Sequence, residues 1–174
     1  MRRKKVSLLA LVLAILLSFA SGLAVTYVLP RETSGKTVVV GKTITLTEGE
    51  YLVTRVLDGD TIEIEGGYRI RYEGIDAPEL ADRYGTQAYE TNKDLVDGKR
   101  VRLEFTESEP DLYGRVLAYV WKDTLLVNER LVADGLAQVL WYNKMAKPKY
   151  YEKLKSAQDA AQQNQWGMWL ETEQ

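Results

Sequence analysis

The sequence predicts an α+β fold that is mainly β: a small, mostly antiparallel barrel with three helices packed on it. Short runs of alternating apolar and polar residues, closed by turn signals, dominate the first half of the folding part and return after residue 100. Three longer stretches carry helical signals, and the order is strands, helix, strands, two helices. That order differs from the strand–helix alternation of a parallel sheet. The length of 174 residues suits one domain with a core that needs no staples, and the chain has no cysteine to make one.

The elements follow in order. Arg2, Arg3, Lys4 and Lys5 precede Val6–Leu29, a stretch of 24 residues without a charge. As a helix it measures roughly 36 Å, enough to cross a bilayer. The basic cluster keeps its end in the cytoplasm and places the remainder outside. Residues 1–30 therefore read as a signal anchor, with a cleaved signal peptide as the competing reading. The expected location is extracytoplasmic: membrane-anchored through residues 6–29, or secreted if they are removed. Residues 31–49 read as a linker with additional strands, Thr37–Val40 and Thr43–Thr47, around Gly41-Lys42.

The main domain is expected over residues 50–170. Tyr51–Leu57 is a strand. Thr61–Glu65 alternates, Gly66-Gly67 signals a hairpin, and Arg69–Glu73 returns with Ile70 and Tyr72 inward and Arg69 and Arg71 outward. Arg100–Phe105 alternates again. Val116–Trp121 is apolar on both faces and is expected at the centre of the sheet. The helices are Thr86–Val96 with a threonine cap, Asn128–Asp134 with Asn128 as cap and Gly135 as stop, and Lys149–Asn164 after Pro148.

Composition narrows the chemistry. Histidine and cysteine are both absent, which excludes Ser-His-Asp and Cys-His catalysis and zinc sites built on those ligands. Any metal must be a hard cation on oxygen ligands: calcium, magnesium or manganese. Without the four N-terminal basic residues, 19 Lys and Arg face 25 Asp and Glu. So acidic a domain argues against broad electrostatic binding of nucleic acid, though not against a local cationic site.

Three segments carry candidate chemistry. Asp58-Gly59-Asp60-Thr61 lies between two strands, where Asp and Gly also serve plain turns. Arg71 precedes Gly74-Ile75-Asp76-Ala77-Pro78-Glu79, which places Asp60, Asp76 and Glu79 at the ends of two strands joined by a tight hairpin. A hard cation takes such oxygens, with carbonyls and water completing its shell. Asp111-Leu112-Tyr113-Gly114-Arg115 opens the most apolar strand. Arg115 there is either a solvated turn residue or a fork for phosphate oxygens. Two arginines beside acidic ligands are the equipment of phosphodiester hydrolysis, in which a carboxylate orients or deprotonates water.

These motifs, with Val127-Asn128, Leu131–Ala137 and Gly167-Met168-Trp169, resemble the staphylococcal-nuclease-type (thermonuclease) domain over roughly residues 50–169. The resemblance implies an OB-fold, a five-stranded Greek-key barrel with three packed helices. It implies calcium-dependent cleavage of DNA and RNA that leaves 3′-phosphate ends. By position, Asp60, Asp76 and the backbone carbonyl of Ala77 match the metal ligands. Glu79 matches the residue assigned to the attacking water, and Arg71 and Arg115 match the phosphate-binding arginines. Tyr113, Trp141 and Tyr142 lie at or beside aromatic positions near the nucleotide, where ordinary packing explains them equally well. Three departures stand out. Ala77 replaces a common threonine, Leu80–Tyr84 is shorter than the lysine-bearing loop of many members, and the domain is acidic. No protein partner is expected, and a monomer is. Two rival readings remain: an OB-fold module that binds single strands without cutting, and a structural exported domain that binds calcium.

Overall fold

A computed structural model describes residues 37–40, 44–106, 113–141 and 147–170. The signal or anchor segment, the Gly41-Lys42 turn, Asp111, Leu112 and Tyr142 lie outside the described residues. Among those described, no helix is long and apolar enough to cross a membrane.

The strands are β1 (Thr37–Val40), β2 (Ile44–Thr47), β3 (Gly49–Val56), β4 (Thr61–Ile64), β5 (Tyr68–Tyr72), β6 (Ile75–Asp76), β7 (Arg100–Phe105), β8 (Val116–Lys122), β9 (Leu125–Leu126) and β10 (Gln138–Val139). The helices are α1 (Gly85–Val96), α2 (Val127–Ala133) and α3 (Tyr151–Gln163), followed by a 3₁₀ turn at Gly167–Trp169. The order β5-β4-β3-β7-β8 closes on itself because β5 also pairs with β8. The result is the expected five-stranded closed barrel with three helices, an OB-type architecture.

All barrel pairings are antiparallel except the closing β5–β8 seam, which is parallel. Closure explains why β8 is apolar on both faces: it pairs with β5, β7 and β9, and α2 packs on it. The interior is filled by Val53, Ile62, Ile64, Ile70, Val101, Leu103, Phe105, Ala118 and Val120. Fully burying each large aliphatic or aromatic side chain stabilises the fold by about 1.5–3 kcal/mol. The β4–β5 hairpin turns at Gly66-Gly67 as expected, with the Gly67 N–H donating to the Ile64 carbonyl at 2.9 Å. Among the described residues, strands β1 and β2 pair with each other in a separate two-stranded sheet. Three two-residue strands, β6, β9 and β10, are too short to leave a periodic pattern in sequence.

Two helix starts differ from expectation. Helix α1 begins at Gly85 with Tyr84 as its N-cap in the left-handed region, and no side chain caps it. A Cβ on Gly85 would lie 1.7 Å from the Glu79 carbonyl oxygen, so close approach rather than a threonine cap sets this start. In α2, Asn128 lies inside the first turn and Leu126 is the N-cap. Asn128 is fully buried. It accepts from the Val120 N–H at 2.9 Å and donates to the Glu73 carbonyl at 2.9 Å, tying α2 to the barrel. An interior amide that serves two backbone groups looks, in sequence, like a cap.

Gly135 stops α2 with φ +68, and a Cβ there would meet the Trp166 carbonyl oxygen at 2.1 Å. The Met168 N–H donates to the Gly135 carbonyl at 2.8 Å. Thus the C-terminal 3₁₀ turn is docked on the α2 exit, which brings Met168 to the cleft described next.

Candidate active site

The site grows from the β3–β4 loop, the β5–β6 segment and the loop that follows it. Asp60 holds its loop through its backbone and side chain. Its N–H donates to Asp58 Oδ1 at 2.9 Å, and its carbonyl accepts from the Tyr72 N–H at 2.9 Å. The first contact is an Asx-type turn, the local geometry that Asp-Gly-Asp favours. Asp60 Oδ1 accepts from Thr61 Oγ1 at 3.2 Å, and Oδ2 accepts from the Ala77 N–H at 2.6 Å. Gly59 is pressed between neighbours: a Cβ there would lie 2.6 Å from Ala77 Cβ and 2.8 Å from Ala88 Cβ. Only a residue without a side chain lets the loop reach this depth.

Arg71 departs from the expected exposed face. By alternation it points away from the barrel interior, yet it is buried while Arg69 is exposed. The surrounding loops cover it and give it acceptors. Arg71 Nη1 donates to the carbonyls of Tyr72 (2.9 Å) and Ile75 (2.7 Å). Its Nη2 lies 2.8 Å from Asp76 Oδ1 and 3.0 Å from Asp60 Oδ2. A planar guanidinium with donors in a fixed fork can serve four acceptors at once; an ammonium cannot do so with this geometry.

The electrostatics are unbalanced. Burial pushes the Asp60 carboxyl up to about 7, although Arg71 and the Ala77 N–H pull it down; Asp58 and Asp76 push it further up. Two carboxylates, Asp60 and Asp76, thus share one guanidinium. The Tyr72 phenol, also buried, is pushed well above its ordinary value and remains a donor. Glu73 is raised by burial, with Arg71 opposing.

Asp76 and Ala77 continue into a cleft of about 300 Å³ lined by Asp76, Ala77, Pro78, Glu79, Asp82, Gln138 and Met168. Glu79 is exposed on this cleft. Gln138 reaches it because β10 pairs with β6, opposing Gln138 to Asp76. Sequence reasoning gave Asp82, Gln138 and Met168 no place at the site, although Met168 belongs to the Gly167-Met168-Trp169 motif. Gln138 and Met168 arrive through a two-residue strand and a docked turn, whereas Asp82 sits only three residues beyond Glu79.

Arg115 stands just before β8. Since Arg71 opposes Leu117 across the parallel seam, period-two alternation puts Arg71 and Arg115 on the same face of the sheet. Arg115 lies over the Tyr113 ring, 5.4 Å from its centroid, and Tyr113 is 81% exposed. Core packing therefore does not explain Tyr113. Trp141 is half-buried, with its ring 5.1 Å from that of Tyr151 in an edge-on contact.

Among the described residues, no three or more acidic side chains are gathered as a ready-made metal cluster. Arg71 instead stands between Asp60 and Asp76. The donor set still fits a hard cation. It consists of oxygens only, and the buried Asp60 carboxylate is under-compensated by a single guanidinium. A hard cation suits such a site; a soft metal does not.

The staphylococcal nuclease homologue family model matches residues 69–171. Among curated proteins, the chain is 37% identical over 131 residues to a thermonuclease of Staphylococcus hyicus, covering 70% of this chain and 76% of that protein. It is 38% identical over 138 residues to a thermonuclease of Staphylococcus intermedius, covering 74% and 81%. An endonuclease of Bacillus subtilis (strain 168), YncB, is 34% identical over 125 residues, covering 66% and 59%. Asp60 precedes the residues matched by the family model.

Proposed function

The chain belongs to the staphylococcal nuclease homologue family and is a hydrolase, a nuclease of that type; on that basis we propose that it cleaves DNA and RNA with calcium and leaves 3′-phosphate ends. The observation that carries this reading is the array of buried Asp60 and Arg71 with half-exposed Asp76, beside a cleft that holds Glu79. Asp60, Asp76 and the Ala77 carbonyl are the proposed calcium ligands. Bound calcium would offset the negative charge that grows on the phosphoryl oxygens during hydrolysis.

The protein's own groups divide the remaining work. Arg71 is held by two backbone carbonyls through Nη1, so its plane is set before substrate arrives. A phosphate oxygen competes with the two carboxylates for Nη2. Arg115 approaches from the same face and offers a second fork to the nonbridging oxygens. Glu79 orients the attacking water and takes its proton. The new phosphorus–oxygen bond forms as the bond to the 5′-oxygen breaks, so the phosphate stays on the 3′ side. Tyr113, exposed beside Arg115, offers a face on which a base can stack. Trp141 is proposed for the same role.

The purified chain is to be incubated with single-stranded DNA and with RNA, with calcium or with excess chelator, and the product ends mapped. Calcium-dependent cleavage with 3′-phosphates is expected. Full activity in chelator refutes the metal, 5′-phosphate products refute the end chemistry, and binding without cleavage favours the OB-fold binding module. We further propose that the domain acts outside the cytoplasm as a monomer, tethered through residues 6–29 or released after their cleavage. External protease added to intact host cells should degrade a tethered domain; a protected soluble pool refutes export.

A further inference from the structure

Behind the proposed calcium site lies a buried polar pair with no part in the chemistry above. Asn92, on α1, is fully buried, and Tyr72, on β5, is nearly so. The Tyr72 hydroxyl donates to Asn92 Oδ1 at 2.8 Å, and Asn92 Nδ2 donates to the Asp58 carbonyl at 3.0 Å. The helix thereby grips the metal loop at Asp58, one residue before Gly59 packs against Ala88 of the same helix.

Tyr72 is tied to the site in two further ways. Its N–H holds the Asp60 carbonyl at 2.9 Å, and its own carbonyl accepts from Arg71 Nη1 at 2.9 Å. One residue therefore meets the loop bearing the proposed calcium ligand, the phosphate fork and, through Asn92, the helix that backs the loop. A core amide with apolar neighbours is costly unless its polar groups are met, so a solely packing role is better served by leucine. Here the polar groups are met by the loop that carries Asp60.

We propose that the Tyr72–Asn92 pair is a positioning device that sets the Asp58–Thr61 loop, and with it the Asp60 carboxylate, at its working distance from Arg71. This rests on the calcium reading of the site. The hydroxyl orients the Asn92 amide so that its NH₂ end faces the Asp58 carbonyl. Without the hydroxyl, the amide loses its preferred orientation, and the loop samples positions in which Asp60 is misplaced for the cation.

The test compares the full chain with Tyr72→Phe, Asn92→Ala and Val101→Ala, the last being a buried β7 position paired with β3 and serving as a destabilised control. Calcium binding is measured directly by calorimetry at a temperature where every variant is folded, alongside melting curves, kcat and KM. Loss of one hydrogen bond that orders a site predicts about three- to tenfold weaker calcium binding for Tyr72→Phe, and about ten- to thirtyfold for Asn92→Ala. Val101→Ala should melt earlier yet bind calcium within about twofold of the parent. At saturating calcium, Tyr72→Phe should recover most of the parental kcat. If Tyr72→Phe and Asn92→Ala melt earlier but bind calcium as the parent does, the pair is merely structural and the proposal fails. Should Asn92→Ala not fold, Tyr72→Phe alone decides. A parent with no calcium isotherm overturns the calcium reading and this proposal together, whereas a normal parent with unchanged variants overturns this proposal alone.

Discussion

Replacing Arg71 by lysine should damage both fold and activity, because the guanidinium does structural work that an ammonium cannot reproduce. Arg71 is buried, and its two terminal nitrogens serve four acceptors: the Tyr72 and Ile75 carbonyls, Asp60 and Asp76. A single lysine nitrogen reaches at best one carboxylate and one carbonyl, so two buried acceptors lose their donor. Each buried acceptor left unmet costs about 1–3 kcal/mol, and the retained charge spares the larger penalty of an unpaired buried ion. A loss of about 2–6 kcal/mol follows, which for a domain of this size lowers the melting temperature by roughly 6–30 °C. Removing a fork that recognises the transition state adds a loss of about a hundredfold to a thousandfold in rate. Arg115 stands half-buried before β8 over the Tyr113 ring, and Arg115→Lys should lose activity. Melting followed by circular dichroism, with DNA cleavage assayed well below both transitions, separates the two effects. If Arg71→Lys melts with the parent and cleaves within a few-fold of it, the four-acceptor arrangement does not hold the site. If Arg115→Lys cleaves at the parental rate, Arg115 is not a phosphate fork.

Other outcomes are accessible to the same assays. Glu79→Gln should cut turnover by about a hundredfold or more with calcium binding little changed, whereas Asp60→Asn should weaken calcium and regain rate as calcium is raised; identical calcium responses refute the division of roles. Glu104 is pushed up by burial but pulled below its ordinary value of 4.5 more strongly by Lys149 and Tyr150, which contact it at 2.5 and 3.0 Å. Its contribution is complete above that ordinary value and is lost as pH falls through the lowered one, so parental melting should fall in that acidic window and Glu104→Gln should flatten the fall. Gly59→Val should lower the melting temperature and weaken calcium binding, since any Cβ collides with Ala77 and Ala88; a silent substitution refutes the close-packed loop. Tyr113→Ala should leave melting unchanged because the ring is 81% exposed, and should raise KM if a base stacks there.

The sequence by itself determined the class of fold, the order of its main strands and helices, and the restriction to oxygen-ligand chemistry. Those properties rest on local periodicity, turn residues and composition, which a chain displays without tertiary contacts. Asp60, Asp76 and Arg71 were legible as candidates because their residue types in short motifs leave few other chemistries. Their arrangement was not. Alternation exposes Arg71, and only the loop closing over β5 buries it among four acceptors. Asn128 reads as a cap beside Gly135, yet it spans α2, β8 and Glu73 from the interior. Asn92 has no signature at all, since its partners lie 20 and 34 residues away in the chain. The parallel β5–β8 seam that brings Arg71 and Arg115 onto one face is likewise a matter of closure. Local pattern records what each segment does alone. Which distant groups meet, and which charge is buried among them, is decided by the pairing of strands and the packing of helices that no single segment encodes.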